Sequence, residues 1–183
     1  MSKLFVNELA PKTAGNKIMM PQGGIIQTQY TQFTGTNSYS STGGADTTVT
    51  DLTVNITPVS TSSIIKIDAM VSGEWSNQNG ATDSVWFFFR NSTKLSHSAA
   101  GSRNVGILMG TSTTYHAVDN ASTPEHAYYS YFDAPSSTSQ IIYKVGFVSA
   151  AGYTWYLNKT VTDSNTVYYE RGISFISVTE IAG

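Results

Sequence analysis

Residues 48–71 read TVTDLTVNITPVSTSSIIKIDAMV, and apolar and polar side chains alternate on both sides of a turn rich in Ser and Thr. Alternation with a period of two is typical of a strand that buries one face. The side chains predicted to be buried are Leu52, Val54 and Ile56 before the turn, and Ile65, Ile67, Ala69 and Val71 after it. The stretch therefore predicts a half-buried β-hairpin.

Further strand candidates follow one another along residues 23–183. They are SVWFFFR, which is apolar on both faces, and then HAYYSYFDA, QIIYKVGFV, YTWYL, TVYYER and ISFISVTEI, whereas TGTNSYSSTGGADTT is predicted to be a long loop. One strand and turn in about 8 to 12 residues is typical of a sandwich or barrel. We predict one all-β domain of about eight to ten antiparallel strands in two packed sheets, with about one turn of helix.

Composition excludes several classes of function. Charged residues form 12% of the 183-residue chain, the formal net charge is −2, and there is no cysteine. Without a basic stripe there is no electrostatic basis for binding nucleic acid or anionic lipid, and without cysteine there is no disulfide, thiolate zinc site or Cys nucleophile. No apolar run has the length of a signal peptide or a bilayer span, so we expect synthesis in a cytoplasm without membrane insertion.

The first 22 residues differ from the rest of the chain. Two short apolar pieces, LFVNEL and KIMMP, flank a PKTAGN turn and are too small to bury anything alone. We interpret residues 1–22 as an anchoring arm, with a simple edge strand of the domain as the alternative. The apolar residues that would anchor it are Leu4, Phe5, Val6, Leu9, Ile18, Met19 and Met20.

The search for catalytic or metal-binding patterns yields isolated residues and no motif. The histidines His97, His116 and His126 are not at metal-ligand spacing, and the possible calcium ligands Asp83, Asp163 and Asn165 are first of all turn residues. The carboxylates Glu74, Asp119, Glu125 and Glu170 could meet in space as an acid–base pair, but nothing singles them out. We predict no catalytic residues, no metal and no cofactor.

Aromatic residues are abundant, with eleven Tyr, eight Phe and three Trp. Trp75 in GEWSNQNG, and Tyr153 and Trp155 in AGYTWY, are candidates to present rings to a sugar or a partner chain. The alternative, which we weigh more heavily for the aromatic set as a whole, is that the rings fill the core or a subunit contact.

Several motifs resemble small virion structural proteins of tailed, especially marine, bacteriophages. The similar stretches are KLFVNELAPKTAGNKIMMPQGGIIQ, DLTVNITPVSTSSIIKIDAMVSG, FFFRNSTKL and YERGISFISVTEIAG, and together they touch most of the chain. The resemblance implies a fibre tip, knob or decoration protein with a jelly-roll domain that assembles as a trimer, as in C1q and tumour-necrosis-factor domains. The sequence lacks the long shaft of a typical tail fibre, which favours a compact appendage.

The final strand candidate is apolar on both faces. Ile173, Phe175 and Ile181 lie on one face, and Ile176 and Val178 on the other. In the trimer that the resemblance implies, one face would contact the core and the other the neighbouring copies, so we assign all five to the region of the trimer interface.

The sequence thus yields three hypotheses of function. The first is a homotrimeric head or tail appendage that attaches to other virion proteins by its arm and meets host surface glycans with its outer loops. The second is a capsid decoration or cement protein that braces the shell. The third, with the least support, is a glycan-active enzyme.

Overall fold

The structure, a computed structural model, describes residues 21–113 and 122–183. These residues form twelve strands and one short helix, because the alternating patterns place one face of most strands in a common core. The strands are β1 (Ile25–Phe33), β2 (Asn37–Ser40), β3 (Thr47–Ile56), β4 (Ile64–Trp75), β5 (Ser84–Arg90), β6 (Thr93–Leu95), β7 (Leu108–Met109), β8 (Ser112–Thr113), β9 (Glu125–Asp133), β10 (Ile141–Ser149), β11 (Thr154–Leu157) and β12 (Ser174–Ile181). The helix α1 spans Gln78–Thr82.

The strands form two antiparallel sheets that pack as a sandwich, consistent with a jelly-roll-like fold. In sheet A, β4 is the central strand: it pairs with β12 and then β11 on one side and with β9 on the other, while β1, β2 and β8 are added outside these neighbours. Sheet B has the order β3, β10, β5, β6, with β7 also paired to β5. The predicted all-β sandwich is confirmed.

The predicted hairpin in residues 48–71 is wrong in its pairing. The buried side chains are those that the alternation predicted, but β3 pairs with β10 in sheet B and β4 pairs with β9 and β12 in sheet A. Residues 57–63 therefore carry the chain from one sheet to the other, and the two apolar faces meet across the core. Alternation indicates which face is buried, and it contains no information on the pairing partner.

Other predicted elements differ from the structure in detail. The long polar loop contains β2, which pairs with β11. TVYYER is not a strand: residues 166–169 form bends and a turn in the connection between β11 and β12, and Arg171 makes an isolated bridge to Lys159. Strand β5 is an interior strand covered on both faces, as predicted, and the single helix of the described residues is five residues long.

Four large aromatic rings fill one end of the core. Trp75, Trp86, Phe147 and Trp155 are buried, and the centroids of contacting rings lie 5.0–6.0 Å apart. Most of these pairs meet at large interplanar angles, an arrangement that the quadrupoles of aromatic rings favour. The three indole N–H groups have no hydrogen-bond partner among the described residues, which fits a cluster in which ring edges point at neighbouring ring faces.

Candidate functional site

The exposed face of sheet A carries large apolar side chains in register across four strands. We name this surface the outer apolar face and define it by Ile25 and Tyr30 on β1, Phe175 and Ile181 on β12, Ile64 and Met70 on β4, and Tyr128 and Phe132 on β9. The exposed fraction is 72% for Tyr30 and 63% for Tyr128, two aromatic residues at opposite edges. Within the described chain these side chains have no protein layer above them.

The polar side chains on the outer apolar face are nearly neutral as a set. Lys66 Nζ lies 2.9 Å from Asp68 Oδ1, and the Ser130 hydroxyl donates a hydrogen bond to the same carboxylate. Ser177 and Thr179 occupy the centre of the face on β12. A surface with paired charges, hydroxyls and exposed aromatic rings resembles the composition of contacts between proteins.

The part of the outer face of sheet B around β5 is covered by the chain itself. Val85, Phe87 and Val148 are buried there, and Ile107 from the loop after β6 packs against them. Ile107 is fixed by a hydrogen bond from its N–H to the Trp86 carbonyl. Lys94 Nζ lies 3.9 Å from the centroid of the Phe87 ring and completes the cover.

The last strand divides the five residues assigned to the trimer interface into two groups. Phe175 and Ile181 point to the outer apolar face, and Ile173, 45% exposed, precedes the strand. Ile176 and Val178 are fully buried in the core of the same chain. The assignment of these two residues to an interface is corrected, because a side chain inside its own sandwich does not reach a neighbouring copy.

Two of the three rings proposed to contact a glycan are also in the core. The exposed fraction is 1% for Trp75 and 0% for Trp155. Strand β4 continues through the polar sequence GEW, and the turn of α1 then packs Gly80 against the Trp75 ring. The prediction for Trp75 and Trp155 is therefore wrong. Tyr153 is partly buried and packs against the same core cluster.

A cleft of about 250 Å³ lies at the far end of β4, beyond the outer apolar face. One wall is formed by Pro124 and His126 at the start of β9, and the opposite wall by the ends of the connection between β11 and β12. The side chains of Lys159, Thr160, Glu170 and Arg171 line that second wall. Ser72 and Gly73 of β4 form part of the floor.

Glu74 holds both walls of this cleft from beneath. Its Oε1 accepts hydrogen bonds from the Thr123 N–H, at 2.9 Å, and from the Thr123 hydroxyl, at 2.6 Å. Its Oε2 accepts from the Val161 N–H at 2.6 Å. Because the carboxylate is fully buried and bound by three donors, it fixes the relative position of the two walls.

Hydrogen bonds hold the two ends of the connection between β11 and β12 together. Buried Asn158 has φ 61° and donates from Nδ2 to the carbonyls of Phe33 and Gly35, while its Oδ1 accepts from the Ser174 hydroxyl. Further out, Arg171 donates from Nε and Nη2 to both oxygens of Asp163. These hydrogen bonds from the Arg171 guanidinium lower the pKa of Asp163 below its ordinary value.

The residues considered for catalysis or metal binding do not form a centre in the described chain. No three His, Cys, Asp or Glu residues of residues 21–113 and 122–183 are grouped as metal ligands. Asp163 is paired with Arg171, Asn165 lies in the same loop, Asp83 ends α1, and His97 bonds locally to the Ser98 carbonyl. Glu125 accepts from the Thr111 hydroxyl. His116 and Asp119 lie outside the described residues.

The anchoring residues Leu4, Phe5, Val6, Leu9, Ile18, Met19 and Met20 also lie outside the described residues. In the part that is described, no helix combines the length and apolar character needed to cross a bilayer.

Sequence reasoning missed the cleft and the role of Glu74. The walls and floor of the cleft come from segments near residues 72, 124, 159 and 171. No local sequence pattern connects these four segments.

Comparisons with known proteins leave the family open. No protein-family model matches the chain, and no curated protein matches it.

Proposed function

We propose that the chain is a non-enzymatic structural protein of a phage virion, a homotrimeric appendage that attaches to other virion proteins by its N-terminal arm. The observation that supports assembly most directly is the outer apolar face. Around β5, sheet B covers its outer apolar side chains with a loop and a lysine of the same chain, and it leaves only Met109 and Ile142 exposed at the ends of β7 and β10. Sheet A leaves large apolar side chains exposed on β1 and on β9. A neighbouring copy would supply the missing layer.

The dimensions of the face are compatible with that role. Strands about 4.8 Å apart with a rise of about 3.4 Å per residue give the four-strand width of the face, over about eight residues, a projected area of about 520 Å². A standard interface buries about 800 Å² on each partner. The face thus supplies about two-thirds of the area of one standard contact.

The distribution of residues supports a cyclic arrangement. Ile25 and Tyr30 lie on the β1 edge, and Tyr128 and Phe132 on β9 toward the other side, with hydroxyls between them. In a ring each contact joins two different patches, and closure leaves no free patch for fibrous growth. We place the β1 edge of one copy against the β9 region of the next. The number of three copies comes from the resemblance to trimeric jelly-roll domains.

Assembly is tested by the molar mass of the purified protein in solution. Multi-angle light scattering of the full chain is expected to give three chain masses, and the double variant Tyr30→Ser, Tyr128→Ser is expected to give one. The matched control is Tyr168→Ser, since Tyr168 is equally exposed, at 75%, but lies in the loop beyond the cleft. A wild-type chain that stays monomeric at high concentration contradicts the proposal.

Anchoring is tested separately. Deletion of residues 1–22 is expected to leave a folded trimer that no longer enters virus particles. Normal incorporation of the shortened protein would contradict the role of the arm.

A capsid decoration protein is the second candidate, and the burial of Trp75 and Trp155 favours it. With these rings in the core, the first sequence-based support for glycan contact is lost, and a protein that only braces a shell needs no such contact. The position of the protein on purified particles, on the capsid surface or on the tail, distinguishes the two.

A further inference from the structure

The cleft at the end of β4 has walls fixed by the fold. Glu74 ties the segment at residue 123 to the segment at residue 161, and Gly172 packs against the Ser72 side chain at the floor, where an added Cβ would come within 3.0 Å of it. Asn158 and the Arg171–Asp163 pair hold the connection that forms the second wall. A site whose shape exists before the ligand arrives loses less free energy to ordering when it binds.

The cleft also contains polar side chains that form no hydrogen bond or ion pair with the described residues. The side chains of His126 and Glu170 make no hydrogen bond or ion pair with any residue of the described chain, and Lys159 makes only a contact with the Tyr156 ring, 5.4 Å from its centroid. The hydroxyls of Thr160 and Ser72 donate within the chain, to the carbonyls of Thr162 and Ile173, and so remain acceptors only. The free groups thus include donors, acceptors and groups that serve as either.

The charges in and around the cleft balance. Lys159 and Arg171 are positive, Glu170 is negative, and Asp163 neutralises Arg171 through two hydrogen bonds. A strongly anionic ligand would meet Glu170, and a cationic one would meet Lys159. The arrangement suits a neutral ligand that both donates and accepts hydrogen bonds.

The placement of these groups further limits the class of ligand that fits the cleft. His126 lies on the β9 wall, Glu170 and Lys159 on the opposite wall, and Ser72 on the floor, and apolar surface lies between these residues. A sugar ring carries hydroxyl groups around its whole circumference, whereas a free amino acid carries both charges on one carbon. The volume of about 250 Å³ is just below the range of about 300–1,000 Å³ for drug-sized ligands and fits one ring.

We propose that this cleft binds a single neutral pyranose unit, such as the terminal residue of a surface polysaccharide. Glu170 would accept from ring hydroxyls, Lys159 would donate to them, and His126 would do either. The proposal rests on the proposed function in the form of the first sequence-based hypothesis, in which the appendage also meets host surface glycans, and it moves the glycan contact from Trp75 to the cleft.

Binding is tested with the full chain and with the methyl glycosides of glucose, galactose and mannose. Saturation-transfer difference NMR is expected to detect at least one of them with a Kd of about 1 mM, the strength that about a dozen non-hydrogen atoms provide. Free serine serves as the zwitterionic probe. Stronger binding of serine than of every glycoside, or no glycoside binding at all, would overturn the proposal.

Location is tested with two variants and two matched controls. Glu170→Gln and His126→Ala are each expected to weaken glycoside binding by about tenfold, since each removes a hydrogen-bonding partner in a partly enclosed site. Asp83→Asn and His97→Ala make the corresponding changes at an acidic residue and a histidine outside the cleft and are expected to bind as wild type. Unchanged binding in both cleft variants would place the ligand elsewhere and refute the assignment.

Assembly and ligand binding can fail independently. A trimer that enters particles but binds no glycoside overturns the cleft proposal and leaves the proposed structural role intact. A monomer that binds glycoside through Glu170 overturns the trimer and retains the cleft.

Discussion

The two outer faces of the sandwich differ in how far their apolar side chains are buried. On sheet B, Phe87 is buried beneath Lys94 and a cluster that includes Ile107, whereas on sheet A, Tyr30 and Tyr128 are in solvent. Both sheets come from the same alternating sequence. The difference is that a long loop of the chain returns over one sheet and no described segment returns over the central rows of the other. An uncovered apolar face that persists in a protein is a candidate for covering by another molecule.

The largest effect is expected where the chain covers itself. Phe87→Ala should lower the free energy of unfolding by about 3–5 kcal/mol, because it removes a fully buried ring and leaves a cavity. The loss is measured by denaturant titration and should not change with protein concentration in a monomeric background such as the Tyr30→Ser, Tyr128→Ser variant. A loss below about 1 kcal/mol would show that the cover over sheet B is loose.

A smaller effect, dependent on concentration, is expected on the outer apolar face. Phe132→Ala should destabilise the assembled wild type by about 1.5–3 kcal/mol for each ring buried at the contact, and by almost nothing in the monomeric background, since the ring is then exposed in both folded and unfolded states. Thermal melting at several protein concentrations separates the two cases. Equal losses in both backgrounds would contradict the comparison of the two faces.

A still smaller effect is expected from the lysine that covers Phe87. Lys94→Met keeps the aliphatic chain and removes the ammonium group from the Phe87 ring and from Asp46, 2.7 Å away. We expect a loss of about 0.5–1 kcal/mol, which should shrink in high salt as far as it comes from the ion pair. Lys144→Met is the control, because Lys144 lies further from its ring, 5.6 Å from the Phe89 centroid.

The smallest effect concerns the loop at the end of sheet A. The pKa of Asp163 is lowered in the folded state, mainly by its hydrogen bonds from Arg171, so its contribution is present above the ordinary value of 3.8 and is lost as the pH falls through the lowered pKa. Between pH 7 and pH 5 the loop should therefore not change. Below about pH 3.8 the protection of the amides in residues 159–171, measured relative to the intrinsic exchange rate at the same pH, should decrease. In Asp163→Asn this pH dependence should be absent.

The local sequence pattern was sufficient to predict most of the strands and which of their faces are buried. The buried residues of β3 and β4 are those at alternate positions, and SVWFFFR, with large side chains on both faces, is the interior strand β5. The only helix of the described residues is short, as the absence of a 3.6 period predicted. Period-two alternation is a property of the extended chain itself, so it can be read without knowing the partner.

Long-range contacts decided what local pattern left open. Trp75 follows a glycine and a glutamate in a polar stretch, and only the packing of three other rings around it shows that it is buried. The cleft likewise depends on Glu74, which joins segments 49 and 87 residues away. Such contacts carry no periodic signal, since each depends on how the chain returns in space.

The sequence by itself determined an all-β domain, the alternation that buries Leu52 and Ile67, and the absence of cysteine chemistry. Only the tertiary structure decided that β3 and β4 lie in opposite sheets, that Ile176 and Val178 face inward, and that His126 and Glu170 share a cleft. The physical reason is that side-chain direction along a strand is fixed by backbone geometry. Strand order and loop return, in contrast, depend on the free energy of the whole packed core.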